Sequence, residues 1–133
     1  MSVFDDQMEM MKAFGQKTEY DLPQAILYMD LVEEEFEETG TAFAEIEVAY
    51  ANGTPIDDSA MVEVADGIID SIVVLCGLGI SLGFPLQAIW DEVLRSNMSK
   101  VHPDGTVRRR DDGKVLKPST YSPPDIASIL VSP

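Results

Sequence analysis

One cysteine, one histidine and one tryptophan in 133 residues exclude several kinds of chemistry at the outset. Cys76 alone cannot form an intrachain disulfide or a cysteine-based zinc site. It lies in an apolar run, where a free cysteine is ordinarily a small buried hydrophobe. His102 precedes Pro103 in a loop with no partner nearby for a nucleophile–base pair, and it reads as incidental. Basic residues are almost missing from most of the chain. Residues 1–92 hold only Lys12 and Lys17 against 20 acids, whereas residues 93–133 hold seven Lys or Arg against four Asp. That imbalance excludes a basic footprint for duplex nucleic acid. An acidic body suits cations, and a basic tail suits phosphates or a neighbouring acidic surface. No signal-peptide pattern opens the sequence, because Asp5, Asp6 and Glu9 stand where positive charge belongs. The most apolar stretch, 68–84, contains Asp70 and Ser71 and is studded with glycines, so the expectation is no membrane span and a cytoplasmic protein.

Helical periodicity fills most of what is present. Phe4, Met8, Met11 and Phe14 mark a first helix over 3–14, with Met8, Met10 and Met11 expected to pack at an interface. Pro23 suits the first turn of a long second helix, 24–50, with an interruption expected at Thr39–Gly40–Thr41. Asn52–Gly53–Thr54–Pro55 is a turn. A third helix starts after Asp57, Asp58 or Ser59 and stops at Gly83. Pro85 opens a fourth, with Leu86, Ile89, Trp90, Val93 and Leu94 on one face and Trp90 read as core. Asp104–Gly105 and Asp112–Gly113 are hairpin-type pairs that suggest a small ribbon over 107–115. From Lys117 onward the prolines predict an extended tail rather than a helix. The expected fold is a single all-α domain over residues 1–133. It would be a bundle of four to five helices with its core at about 3–100 and an irregular basic tail at about 101–133. So modest a core makes completion by oligomerisation an expectation as well.

The informative feature is the acid run Glu33–Glu34–Glu35–Phe36–Glu37–Glu38. Acid runs on helices are commonly solvated faces. At ~100° per residue, however, Leu27, Leu31, Glu34, Glu35, Glu38 and Ala42 fall within roughly 100° of one another, while Glu33 and Glu37 point away. The next helix sets Glu63, Asp66 and Asp70 on one face at i, i+3 and i+7. Carboxylates on helices so apolar are costly, by several kcal/mol each, unless paired or bound to a metal. Few cations in residues 1–92 can pair with them, so two facing acid clusters read as a cation site in a bundle. The donors are all hard oxygens, which favours Mg²⁺, Mn²⁺ or Ca²⁺ over zinc or copper. Their helical spacing excludes an EF-hand loop.

The pattern E-E-x-x-E at Glu34–Glu35–Phe36–Glu37–Glu38 is followed 25 residues later by E-x-x-D at Glu63–Val64–Ala65–Asp66. With Asp70, the run Leu78–Gly79–Ile80–Ser81–Leu82–Gly83 and the segment Asn97–Met98–Ser99–Lys100, it resembles the all-α nucleoside triphosphate pyrophosphohydrolases. That superfamily includes MazG-like enzymes, all-α dimeric dUTPases and phosphoribosyl-ATP pyrophosphohydrolases. The resemblance spans roughly residues 25–125 and is strongest to the phosphoribosyl-ATP pyrophosphohydrolase-like branch. It implies that Glu34, Glu35, Glu38, Glu63 and Asp66 ligate Mg²⁺, with Mn²⁺ as a substitute. Glu35 would orient or deprotonate the attacking water. Asp70 would support the site or approach the nucleotide, while Asn97 and Lys100 would contact base, sugar or phosphate. The register Glu33–Glu34–Glu37 also satisfies the first motif. Related sequences often carry Arg six residues before the first motif glutamate, where this chain has Tyr28. The lost contact would fall to Lys100, to Arg109 with its neighbours Arg108 and Arg110, or to Lys114. The basic ribbon would then close over a triphosphate, unless its arginines simply form a solvated turn.

The implied activity is Mg²⁺-dependent hydrolysis of an NTP or dNTP to the monophosphate and pyrophosphate, serving nucleotide-pool control or house-cleaning in a homodimer or homotetramer. Hydrolysis of phosphoribosyl-ATP is the enzymatic alternative. A non-catalytic acidic helical adaptor for a basic partner is the alternative from another class.

Overall fold

A computed structural model describes residues 2–131. It is all-α, with five helices: α1 (Val3–Ala13), α2 (Leu22–Asn52), α3 (Asp58–Ser81), α4 (Leu86–Met98) and α5 (Ile126–Val131). The chain divides into two compact units, Met1–Phe84 and Pro85–Pro133, so that α4 groups with the C-terminal segment.

In the first unit each helix begins where a side chain can take up free backbone N–H groups. Ser2 and Asp5 form a reciprocal capping box on α1, with Asp5 N donating to Ser2 Oγ at 3.2 Å and Ser2 N to Asp5 Oδ2 at 3.0 Å. Asp21 caps α2 by accepting from Gln24 N at 3.0 Å, and Lys17 pairs with the same carboxylate at 2.7 Å. The α2–α3 connection turns at Gly53, whose φ of +66° is left-handed backbone that glycine adopts without a Cβ penalty. Asp57 then caps α3.

The expected interruption at Thr39–Gly40–Thr41 does not occur; α2 runs unbroken for 31 residues. Thr39 Oγ1 donates to Glu35 O at 2.7 Å and Thr41 Oγ1 to Glu37 O at 3.0 Å, so both hydroxyls bond within the helix instead of ending it. Gly40 is exposed, and its helix penalty of about 1 kcal/mol is outweighed by the packing of α2 along α3.

α2 and α3 form an antiparallel hairpin. Asp21 N donates to Ser81 O at 2.8 Å and Gln24 Nε2 to Ser81 Oγ at 2.9 Å, tying the start of α2 to the end of α3. Glycines allow the close approach. A Cβ on Gly77 would collide with the Tyr28 ring, and one on Gly67 would press on the Thr39 side chain, whose own Cβ would lie 3.1 Å away. Tyr28 is buried, and its hydroxyl donates to Gln16 Oε1. The position at which the resemblance would place an Arg is thus a packing residue in this chain.

The packed line of α2 is not the expected one. Buried or half-buried residues run through Tyr28, Val32, Glu35, Thr39 and Ala42, roughly 70° round the helix from the stripe centred on Leu27, Leu31 and Glu38. Leu27 is 55% exposed. α1 packs on α3 through Gln7 and Met11, beside Val73 and Cys76. Cys76 is buried, as its apolar surroundings suggest. α3, at 24 residues, is long and apolar enough by composition to cross a membrane, contrary to the expectation of a broken stretch. It carries Glu63, Asp66 and Asp70 and is packed by both α1 and α2.

In the second unit, Trp90 is 59% exposed, which corrects its reading as core. Leu86, Ile89 and Val93 form the half-buried side of α4. The expected ribbon shrinks to one antiparallel bridge, Arg109–Val115, flanked by Arg110 N to Lys114 O at 2.8 Å and Leu116 N to Arg108 O at 2.7 Å. The tail is not wholly extended, because α5 follows Pro123–Pro124. Asp125 supplies the start signal, accepting from Ser128 N at 3.2 Å and from Ser128 Oγ at 2.7 Å. Arg95, on α4, holds Glu92 at 2.6 Å and Pro123 O at 3.2 Å, while Asp125 N donates to Glu92 Oε1 at 3.1 Å. These contacts seat α5 on α4.

Candidate active site

Glu34, Glu35, Glu38, Glu63 and Asp66 line a single recess of about 620 Å³ between α2 and α3, with Glu37, Thr39, Thr41, Ala42 and Gly67 completing its wall. The hairpin register explains the convergence. Thr39 abuts Gly67, so the two acid clusters lie level with one another on the same side of the antiparallel pair. Gly67 matters here because a side chain at that position would wedge the helices apart next to the carboxylates.

The recess is more open than the sequence suggested. Glu34, Glu38, Glu63 and Asp66 are exposed, while Glu35 and Asp70 are half-buried. The desolvation cost expected for Asp66 therefore does not arise, since water reaches it. Glu37 was expected to point away but joins the wall, where it stands one helical turn from Glu34 and Thr41 at the rim. Glu33 is exposed and lies outside the lining, so the register Glu34–Glu35–Glu38 places every member in the recess and the register Glu33–Glu34–Glu37 does not.

Glu35 is the distinctive member. Its carboxyl is pushed above the usual range, first by desolvation and then by the negative charges of Glu38, Asp70, Asp66 and Glu34. No Lys or Arg occurs anywhere on α2 or α3 to offset that charge. Asp70 is outside the lining but near enough to act on Glu35, which places it at the inner edge of the cluster. Among the described residues, no three His, Cys, Asp or Glu side chains are drawn tightly enough together to hold an ion. Like charges with no cationic side chain between them repel, and here they spread over an open wall. The donor set, oxygen throughout, nonetheless fits a hard divalent cation, and Glu34, Glu35, Glu38, Glu63 and Asp66 are the residues able to close on one.

Asn97, Lys100 and Arg109 belong to the second unit, where they share a shallow recess of about 340 Å³ with Val101, Val107 and Val115. Lys100 Nζ donates to Asn97 Oδ1 at 3.0 Å. The arginines of the hairpin have local partners: Arg108 with Asp104 at 3.6 Å, Arg109 with Gly113 O at 3.0 Å and Arg110 with Asp112 at 2.5 Å. This is the bonding of a solvated turn. His102 donates its backbone N–H to Thr106 O at 2.8 Å.

No protein-family model and no curated protein matches this chain. The likeness to all-α pyrophosphohydrolases rests on the ordered motifs alone. Thr39 and Thr41 are wall residues that the sequence reading passed over. Their adjacency to Gly40 reads as a helix break, and the signal that identifies them is their i+4 spacing from Glu35 and Glu37.

Proposed function

We propose that this protein is a divalent-metal-dependent nucleoside triphosphate pyrophosphohydrolase. The observation that carries the reading is the convergence of Glu34, Glu35, Glu38, Glu63 and Asp66 in one recess that has no basic residue on either helix. Bound Mg²⁺ would supply charge neutralisation for the phosphate oxygens and for the leaving pyrophosphate. The chain's own part is positioning and proton transfer. Glu34, Glu38, Glu63 and Asp66 would hold the cation from two helices whose spacing is set at Gly67. Glu35, with its raised carboxyl, accepts a proton from water as the water oxygen bonds to the α-phosphorus and the bond from that phosphorus to the bridging oxygen breaks. The products are a nucleoside monophosphate and pyrophosphate.

The test is pyrophosphate release from a panel of canonical and modified NTPs and dNTPs, with and without Mg²⁺, for wild type, Glu35→Gln and Glu33→Gln. Mg²⁺-dependent release that is lost in Glu35→Gln and kept in Glu33→Gln is the expected result. Release from phosphoribosyl-ATP alone would move the assignment to that substrate. Silence on every compound would overturn the enzymatic reading and leave an acidic binding module.

A further inference from the structure

Gly67 and Gly77 both lie against α2 side chains, but only Gly67 stands beside the carboxylates. Gly77 is about 15 Å further along α3, at 1.5 Å of rise per residue. Gly67 is buried, directly follows Asp66, and lies one turn from both Glu63 and Asp70. Opposite it is Thr39, which directly follows Glu38 and lies one turn beyond Glu35. This contact between the helices is therefore bracketed by acids on each of them. It also has little give. A Cβ on Gly67 would fall on Thr39 Oγ1 and come within 3.1 Å of Thr39 Cβ, which no side-chain rotation moves. The hydroxyl is itself fixed by its bond to Glu35 O at 2.7 Å. The hydrogen that Gly67 carries in the Cβ direction thus points at the hydroxyl oxygen, a weak C–H···O contact of the kind found between close helices. One added methyl group would push the helices apart by roughly half an ångström, from 3.1 Å toward ordinary carbon–carbon contact.

We propose that the Thr39–Gly67 contact sets which divalent ion the recess prefers, by fixing the distance between the acids of α2 and those of α3. The inference rests on the metal-binding reading of the recess, and it makes Thr39 a positioning residue for that site. Oxygen ligands lie at about 2.0–2.1 Å from Mg²⁺ and about 2.3–2.6 Å from Ca²⁺, so an ion shared by two helices needs a span roughly 0.5–1 Å wider when it is Ca²⁺. A single methyl group in the contact is a change on that scale. The exposed glutamates can absorb part of it by rotating. Asp66 cannot, because its one methylene makes the carboxylate follow the backbone beside Gly67, and Glu35 is held half-buried under Thr39. So close a contact favours the smaller ion.

Isothermal titration calorimetry of the full chain with MgCl2 and with CaCl2, at fixed ionic strength, tests it. The readout is the ratio of the two dissociation constants, because a general loss of affinity or stability moves both alike. Wild type should bind Mg²⁺ more tightly than Ca²⁺. Gly67→Ala should lower that preference by about 10-fold. Gly67→Ala combined with Thr39→Ala moves the methyl group from one helix to the other and should recover most of the preference. Gly40→Ala, the same change where nothing lies near the missing Cβ, should leave the ratio as in wild type. Thr39→Val is milder, exchanging the hydroxyl for a methyl group, and should lower the ratio in the same sense by about threefold. Far-UV circular dichroism checks that the variants remain helical. Folded variants at Gly67 and Thr39 that keep the wild-type ratio, or a wild type that prefers Ca²⁺, would overturn the inference and leave the metal site standing. A wild type that binds neither ion would overturn both.

Discussion

Glu35 differs from its neighbours because it alone among the motif glutamates lies on the packed side of α2 while four other carboxylates act on it. For the proposed hydrolysis, in which Glu35 is the general base, Glu35→Gln should lower kcat by about 100-fold or more with helix content unchanged. In the metal-free protein, NMR titration should give the Glu35 carboxyl a midpoint above the ordinary glutamate value, and Mg²⁺ bound among the same carboxylates should lower it. Adding charge repulsion by Thr39→Asp should move the metal-free midpoint higher still. Stability follows from the same shift. A carboxyl whose folded pKa lies above its unfolded value destabilises the fold when ionised, and protonation relieves it. Glu35→Gln should therefore raise Tm at pH 7 without divalent ions, and Mg²⁺ should raise Tm more in wild type than in this variant. Differential scanning fluorimetry with and without MgCl2 checks both. A Tm indifferent to Mg²⁺ in wild type would remove the metal site from the proposal. The acids themselves were legible in the sequence by type and spacing, but their exposure was not. Whether Asp66 is dry or wet depends on how widely the helices open at that level.

The α2–α3 hairpin rests on two glycines with opposite expectations from a third. Gly77→Ala should cost about 1–3 kcal/mol by overpacking against Tyr28, whereas Gly40→Ala should stabilise by up to about 1 kcal/mol, since nothing lies near its missing Cβ. Urea unfolding of the two variants separates them. α5 depends on a smaller device. Glu92 is held down to about 2, chiefly by its hydrogen bonds from Arg95 and then by the Asp125 backbone N–H. Its contribution is complete above the unfolded value and disappears as pH falls through about 2, so amide exchange at Asp125–Ser128 should quicken across that acid range. Glu92→Gln should quicken it already at pH 7. Helix ends were readable because Asp21, Asp57, Gly53 and Gly83 announce them locally. The facing of α2 was not, because a helix with two apolar stripes does not declare which one meets its partner. Leu27 and Phe36 are equally plausible core residues until α3 is in place. α5 was hidden by the prolines before it, and Asp125 was the signal that outweighed them.

Charge is the property of the molecule as a whole, at −15 for the chain and concentrated before residue 93. A triphosphate approaching such a body is repelled at long range. For the proposed activity at fixed free Mg²⁺, kcat/KM should rise as monovalent salt increases to about 0.15 M, where the screening length is about 8 Å. A basic substrate site would show the reverse, and steady-state kinetics at three ionic strengths decides. The lack of Lys and Arg on α2 and α3 reaches beyond electrostatics, to how the chain can be cut. Trypsin has no site between Lys17 and Arg95, so residues 18–95 leave any digest as one 78-residue peptide, folded or not. Every remaining site lies in α1, in the loop after it or in the second unit. Brief digestion of the native protein should thus shorten the chain from both ends while sparing the whole carboxylate hairpin. The size of the core that survives then reports how far the hairpin holds together without the segments around it.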